Sequence, residues 1–185
     1  YDGVAELWWE SEATLIEAGG REEGAILVED ERRFIDLQNS PLWFAHEYPQ
    51  INPLERVVAR DFSGVTKLYF ALRAPPGMTE EAAQHYWRTA HGPLIRSMAG
   101  AGSMLRYLQV HRFESALEQG MRNARGTLVE PYFGHAEAWL DSLRRASGPA
   151  AAKQLHRMLE DERKFIDFSR SAAWFGSERY FIDRF

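Results

Sequence analysis

An internal repeat constrains the fold of this chain more than any other feature of its sequence. The segment GVAELWWES at residues 3–11 matches GHAEAWLDS at residues 134–142, and EDERRFID at residues 29–36 matches EDERKFID at residues 160–167. Both pairs are related by one constant offset of 131 positions. Ungapped similarity at a fixed spacing indicates that a structural unit was duplicated, so the chain should contain two related pieces.

The second copy has a complete set of expected elements. Alternation and helical spacing predict, in chain order, a strand at 66–73, a helix at 80–90, strands at 105–113 and 133–140, a helix at 150–168 and a strand at 177–182. The first copy has only the last three of these elements. We therefore divide the chain into the second half of a first unit at 1–50, a linker at 51–64 and a complete unit at 65–185.

A half-unit leaves a strand edge and a sheet face uncovered, and both are unfavourable in water. We therefore expect the chain to be part of a longer tandem protein, or to have its missing half supplied by another chain. The alternative is a natural half-repeat that is completed by an extra partner strand. In a tandem protein the two units can pair within one polypeptide as a pseudo-dimer, and we expect homo-oligomers as well.

The first helix of the complete unit ends, by its sequence, at a histidine. Thr79 is a suitable N-cap, and Gly92 followed by Pro93 predicts that the helix stops there. His91 would then lie at the helix C-terminus, where backbone carbonyls favour imidazolium and raise its pKa toward or above the usual value of about 6.5. Such a histidine could transfer protons near neutral pH, or it could simply cap the helix.

The second strand of the complete unit carries polar side chains on one face. Alternation puts Tyr107, Gln109 and His111 on the same side, between Leu105 and Phe113. Apolar walls with a few convergent polar groups are typical of a small-molecule pocket. The structural alternative is that His111 is a hydrogen-bonded core or edge residue.

These motifs resemble the EthD family of the dimeric α/β-barrel superfamily, whose members carry a YW-x-x-x-HGPL helix end followed by a Y-x-Q-x-H strand. The matching residues are Tyr86, Trp87, His91, Gly92, Pro93, Leu94, Tyr107, Gln109 and His111, and the similarity continues to the C-terminus. The resemblance implies an α+β fold with a ferredoxin-like βαββαβ unit that pairs with a second unit to close a barrel. It also implies cofactor-independent chemistry on small hydrophobic or aromatic molecules, without selecting the reaction.

A second group of candidates lies on the third strand of the complete unit. His135, Glu137 and Trp139 share one face by alternation, and Glu6 and Trp8 occupy equivalent positions in the first copy. A carboxylate beside an indole on a half-buried strand is expected to have a raised pKa, which makes Glu137 or Glu6 a candidate general acid or base. The alternative is a glutamate paired with an arginine across the sheet.

The composition narrows the class of protein. An apolar fraction of 45%, without a run near the ~20 residues of a membrane helix and without a signal pattern, predicts a soluble cytoplasmic protein. A net charge of -5 argues against nucleic-acid binding, and the lack of cysteine excludes disulfides and thiolate ligands. No HExxH or related metal spacing occurs, so we predict no metal and no other cofactor.

The leading hypothesis is a cofactor-independent lyase or isomerase, of the decarboxylation or dehydration type, that acts on a small aromatic compound. His91 and His111 would move protons, and Tyr107 would donate a hydrogen bond to a developing oxyanion. The predicted substrate contacts are Trp87, Gln109, Tyr69, Glu137, Trp139, Glu6 and Trp8. The alternatives are a cofactorless monooxygenase acting on a phenolic substrate and a non-enzymatic small-molecule binding or assembly protein.

Overall fold

A computed structural model describes residues 1–99, 103–144 and 147–182 of the chain. The described helices are α1 (Glu12–Gly19), α2 (Glu22–Glu31), α3 (Glu80–Tyr86), α4 (Gly92–Met98), α5 (Ala116–Arg125) and α6 (Pro149–Glu162). The described strands are β1 (Phe44–Ile51), β2 (Val65–Leu72), β3 (Met104–Phe113), β4 (Gly134–Asp141) and β5 (Ala172–Gly176). A π-helical turn at Trp87–His91 joins α3 to α4.

The chain forms two compact units. One comprises Tyr1–Phe44 with Phe113–Pro131, and the other comprises Ala45–Arg112 with Tyr132–Phe185. The first contains α1, α2 and α5. Helix α5 begins where the Ser115 side chain accepts the N–H of Glu118 and ends at Gly126, whose φ of 72° is the left-handed conformation that glycine adopts without strain.

The second unit is built on a five-stranded sheet. Its strand order is β1-β3-β4-β2-β5, and β2 pairs antiparallel with both β4 and β5, as β3 does with β4. Within this unit, which does not include α5, the elements from β2 to β5 follow a βαββαβ order, in which the first and last strands are neighbours. The predicted α+β, ferredoxin-like fold is confirmed.

Helices cover one face of this sheet. Helix α3 begins at Thr79, whose side chain accepts the N–H of Ala82, as predicted from the sequence. The core beneath the helices contains Leu72 and Phe133 next to the sheet, and Trp87, Phe165 and Ile166 from the helical segments and the turn after α6. Burial of such large apolar side chains contributes most of the free energy that holds the helices on the sheet.

Two predicted strands differ from the structure. Residues 3–11 form no strand, and the last strand lies at Ala172–Gly176 instead of at 177–182. A strand forms only where a neighbour supplies hydrogen-bond partners, and β4, the counterpart of residues 3–11, has such partners in β2 and β3 on its two sides. In the described ranges, residues 3–11 have no paired strand.

The segment between the predicted copies has no regular secondary structure. Residues 52–64 connect β1 to β2 as an irregular chain, in the place where the sequence predicts a linker. Across the described part of the chain, helices long and apolar enough to span a membrane are absent.

Candidate functional site

The predicted site residues of the second unit lie on two opposite faces of its sheet. Tyr107, Gln109 and His111 project from β3 toward the helices, where each contacts Trp87 or its backbone. Tyr69, Glu137 and Trp139 project from β2 and β4 to the opposite face, as the alternation of the strands requires. The structure therefore separates the predicted residues into two groups instead of one.

Trp87 is the centre of the group on the helix-covered face. Its Nε1–H donates to the Tyr107 hydroxyl at 2.9 Å, and its indole stacks on the His111 ring with centroids 4.6 Å apart and planes 4° apart. Gln109 Nε2 donates to the Trp87 carbonyl at 2.9 Å, and Gln109 Oε1 lies 3.2 Å from His111 Nε2. Burial raises the pKa of Tyr107, which keeps its hydroxyl protonated and able to donate.

His91 does not lie at a helix C-terminus. The chain stays helical through the π-helical turn, in which the N–H of Gly92 bonds to the Trp87 carbonyl, and Pro93 lies in the first turn of α4. Proline is tolerated there because the first turn of a helix needs no N–H donor. The predicted stop at Gly92 and Pro93 was therefore wrong.

The prediction that the helix end raises the pKa of His91 is wrong as well. His91 Nδ1 lies 2.8 Å from Asp161 Oδ2. Burial nevertheless lowers the pKa of His91, because the loss of hydration outweighs the attraction of that carboxylate. His91 is thus a neutral imidazole in a neutral solution, oriented by Asp161.

Two carboxyl groups near His91 were not selected from the sequence. Burial opposes ionisation of Asp161, but hydrogen bonds from Tyr86, Lys164 and His91 lower its pKa. Burial, together with the neighbouring charge of Asp161, raises the pKa of Glu162 to about 7, and its Oε1 lies 4.0 Å from His91 Nε2. Both residues lie in the EDER segment that occurs in each copy of the repeat, and this repetition was the sequence feature that could have pointed to them.

A groove of about 670 Å³ opens beside this group. Its lining residues are Leu94, Arg157, Glu160, Asp161, Arg163 and Lys164. Asp161 thus connects the buried histidine to the groove.

The opposite face of the sheet carries a compact network of titratable side chains. Lys67 Nζ lies 2.7 Å from Glu137 Oε2, and the other carboxylate oxygen lies 3.0 Å from His135 Nε2. The Tyr69 hydroxyl lies 2.7 Å from the same Nε2. All four residues are at most 7% exposed, so they interact in a medium where charge and hydrogen bonding are weakly screened.

Aromatic rings flank this network on both sides. Trp174 stacks on Tyr69 with centroids 5.3 Å apart. The cationic groups of Lys67 and Arg106 lie 4.6 Å and 4.4 Å from the Trp139 ring. Sequence reasoning identified Tyr69, Glu137 and Trp139 here but missed Lys67 and Arg106, which the alternation of β2 and β3 places on the same face.

Glu178 links the connector at residues 52–64 to this face through hydrogen bonds. Its Oε2 accepts the backbone N–H of Ala59 at 2.8 Å and the Nε1–H of Trp139 at 2.6 Å. Its Oε1 lies 3.4 Å from the ammonium of Lys67. Ala59 is completely buried and packs in one apolar cluster with Leu108, Val110 and Trp139.

In the second unit, His135 and Glu137 bring two potential metal ligands together, because their Nε2 and Oε1 atoms lie 3.0 Å apart. The ammonium of Lys67 contacts the other oxygen of Glu137 and would repel a metal ion bound there.

The two predicted contacts from the first copy belong to the other compact unit. Glu6 and Trp8 lie in the irregular segment before α1, not on a strand. Glu6 is half-buried and Trp8 is 55% exposed. Neither has the strand position that the repeat predicts.

Two buried groups on the helix-covered face predict opposing effects of pH on stability. The folded chain holds a proton on Glu162 up to about pH 7, whereas the unfolded chain releases it near 4.5. The contribution of protonated Glu162 to the stability of the fold is therefore fully present below pH 4.5 and is lost as the pH rises through 7.

His111 has the opposite effect. Burial, and then the nearby charge of Arg88, lower the pKa of His111 from 6.5 to about 4. The contribution of neutral His111 to the stability of the fold is present above pH 6.5 and is lost as the pH falls through 4.

The variant Glu162→Gln should isolate one of these two effects. Glutamine does not titrate, so the variant lacks the pH-dependent loss that the parent suffers. The free energy of unfolding of the variant minus that of the parent should therefore rise by about 3 kcal/mol between pH 4.5 and pH 7. Urea unfolding at a series of pH values measures this difference. A difference that stays constant with pH would show that Glu162 has an ordinary pKa in the folded chain.

Comparison with known proteins identifies the family. The model of the EthD domain matches residues 75–169, a range that contains α3, β3, β4 and α6 together with His91, His111 and Glu137. A search of the curated proteins gave no match to the chain. The chain therefore belongs to the EthD family and is a member of the dimeric α/β-barrel superfamily.

Proposed function

We propose that this chain is a cofactor-independent lyase or isomerase, of the decarboxylation or dehydration type, that acts on a small aromatic compound. One observation carries the proposal: Lys67, Tyr69, His135 and Glu137 meet within hydrogen-bond distance on the sheet face opposite the helices. When a helix-backed sheet pairs with a second one to close a barrel, that face lines the interior. Buried, mutually hydrogen-bonded acids and bases beside aromatic rings are characteristic of catalytic pockets.

The network offers a proton donor and a proton acceptor. His135 Nε2 can hold one proton, so it either donates to Glu137 or accepts from the Tyr69 hydroxyl. The ammonium of Lys67 favours ionised Glu137, which in turn favours a proton on Nε2. Tyr69 is then able to donate to an oxyanion that develops on the substrate, while His135 and Glu137 take up or return the proton.

Aromatic substrates suit the surroundings of this network. Trp174, which stacks on Tyr69, provides a flat apolar surface beside the network against which a ring can stack. Because the network is at most 7% exposed, a substrate reaches it only when neighbouring parts of the chain move. The hydrogen bonds from Ala59 and Trp139 to Glu178 hold the connector at residues 52–64 beside Trp139.

The helix-covered face is the second candidate location for the same chemistry. His91, His111 and Tyr107 were predicted to be catalytic, and the observation in favour is that Asp161, which orients His91, borders the groove of about 670 Å³. Glu162, with a pKa of about 7, would serve there as an acid or base. Stacking of His111 on buried Trp87 and its pKa of about 4 make His111 less suitable as a base near pH 7.

The repeat supports a tandem arrangement. By the offset of 131, strand β1 of the first copy corresponds to residues 175–182 of the second, and β1 lies at the sheet edge beside β3. A strand from one copy thus extends the sheet of the other. We propose that complete tandem units pair in this way as a pseudo-dimer, and that they also form homo-oligomers.

Product analysis tests the proposed reaction class. Incubation with a panel of phenolic acids, followed by mass spectrometry, should show loss of CO2 or of water, or an unchanged mass with a new retention time for an isomerase. Gain of oxygen together with oxygen consumption would instead identify a cofactorless monooxygenase. Compounds that bind tightly but remain unchanged over hours would identify a binding protein and overturn the enzymatic proposal.

A further inference from the structure

Three side chains form a row across the strands on the face opposite the helices. In the register of the sheet, Arg106 of β3 is the partner of Trp139 in β4, which is also the partner of Lys67 in β2. The indole of Trp139 therefore lies between an arginine and a lysine, with both cations within 4.6 Å of its ring. Glu137 and Tyr69 occupy the next row on the same face.

The two cations differ in how their charges are compensated. Lys67 is paired with Glu137 at 2.7 Å and with Glu178 at 3.4 Å. Arg106 has no carboxylate within ion-pair distance among the described residues, and its buried Nε has no hydrogen-bond acceptor within that part of the chain. A guanidinium stays protonated at neutral pH, and leaving this one buried donor unsatisfied is unfavourable. Arg106 is thus the cation of this row that has no carboxylate partner among the described residues.

We propose that Arg106 binds the carboxylate of an aromatic acid, so that the substrate of the proposed acid–base reaction is an aromatic carboxylic acid. This inference rests on the proposed function for its site and deepens it by naming the substrate class. The planar fork of a guanidinium matches a carboxylate, which can accept two parallel hydrogen bonds.

The charge and the spacing favour a carboxylate over a phosphate. Lys67 already contacts two carboxylates, so Arg106 is the cation of this row that is left to bind an anion, and a single guanidinium suits a monoanion. Neighbouring strands lie about 4.8 Å apart, so β3 and β2 are about 10 Å apart. A benzoic acid held by Arg106 extends across β4 toward Tyr69 and Glu137. Arg106 therefore binds and orients the substrate, and it transfers no proton.

Equilibrium binding tests this inference without turnover. Calorimetric titrations should compare para-hydroxybenzoate with its neutral isostere para-hydroxybenzamide. We expect the parent protein to bind the acid about 10-fold to 100-fold more tightly than the amide, and Arg106→Gln to abolish the preference. Arg106→Lys should retain part of it, because the charge remains while the fork is lost. The preference of the parent should also weaken as salt is added.

Arg88→Gln is the matched control. Arg88 also stacks on an aromatic ring, that of Tyr48 at 4.1 Å, and Tyr48 contacts His111 on the helix-covered face. This variant should keep the acid-over-amide preference, and thermal melting should show that all three variants are folded. Equal binding of acid and amide by the parent, or a preference that survives in Arg106→Gln, would overturn the inference. An Arg106-dependent preference without any product from bound acids would leave the carboxylate site standing and refute the proposed enzymatic function.

Discussion

Replacing Glu137 by glutamine is expected to lower turnover of an aromatic substrate by about 10²–10⁴-fold, the usual effect of removing a general acid or base. Glutamine keeps the shape of the side chain but cannot take up the proton that passes through His135, whose Nε2 lies 3.0 Å from Glu137 Oε1. Lys67 remains paired with Glu178 at 3.4 Å, so the fold should survive the loss of one carboxylate. Steady-state kinetics measures the rate, and circular dichroism with thermal melting reports the fold.

Two further variants make this result decisive. Tyr69→Phe removes the hydroxyl that lies 2.7 Å from His135 Nε2 and should reduce kcat while leaving KM nearly unchanged. Glu162→Gln changes a buried carboxyl group on the other face of the sheet and should leave turnover at neutral pH intact. If Glu162→Gln abolishes turnover while Glu137→Gln retains it, the catalytic site lies on the helix-covered face around His91.

Trp87→Ala is expected to destabilise the second unit by about 3–5 kcal/mol, the range measured when a buried aromatic side chain is truncated to alanine. Trp87 is 1% exposed and packs against Phe133 and Phe165 in addition to His111. Its removal leaves a cavity under the π-helical turn and takes away the donor to the Tyr107 hydroxyl. The loss is a large part of the 5–15 kcal/mol that typically stabilises a domain. Urea unfolding followed by circular dichroism measures it.

Trp87→Phe separates packing from substrate contact at this position. It keeps an aromatic ring against His111 but removes the N–H group, so it should lose less stability than the alanine variant. Full activity in a folded Trp87→Phe protein is the outcome expected for a core residue. Lost activity at unchanged stability would instead support the substrate contact that the sequence predicts for Trp87.

Period-two and helical patterns predicted much of the second unit because they follow from local geometry. Alternation correctly placed Tyr107, Gln109 and His111 on one face of β3, since successive side chains of a strand must point to opposite faces. The helix beginning at Thr79 was found for a similar reason, because its cap is a contact three residues away.

Features that depend on contacts between distant parts of the chain could not be predicted from these local patterns. The helix passes through His91 because the π-helical turn and the first turn of α4 accommodate Gly92 and Pro93. Trp174 stacks on Tyr69 within the pairing of β5 with β2, which lies before residues 177–182. Residues 3–11 repeat the sequence of β4, yet they are irregular without paired neighbours.

The sequence by itself determined the family, the internal repeat and the set of side chains on each face of a strand, because these depend on residue order and on the geometry of one element. Only the tertiary structure decided which faces meet. Strands β2 and β4 had to pair before Lys67, Tyr69, His135 and Glu137 formed one network, and helix packing had to join His91 to Asp161. Burial, which comes from the assembled fold and not from any single segment, then lowered the pKa of His91 that a helix end would have raised.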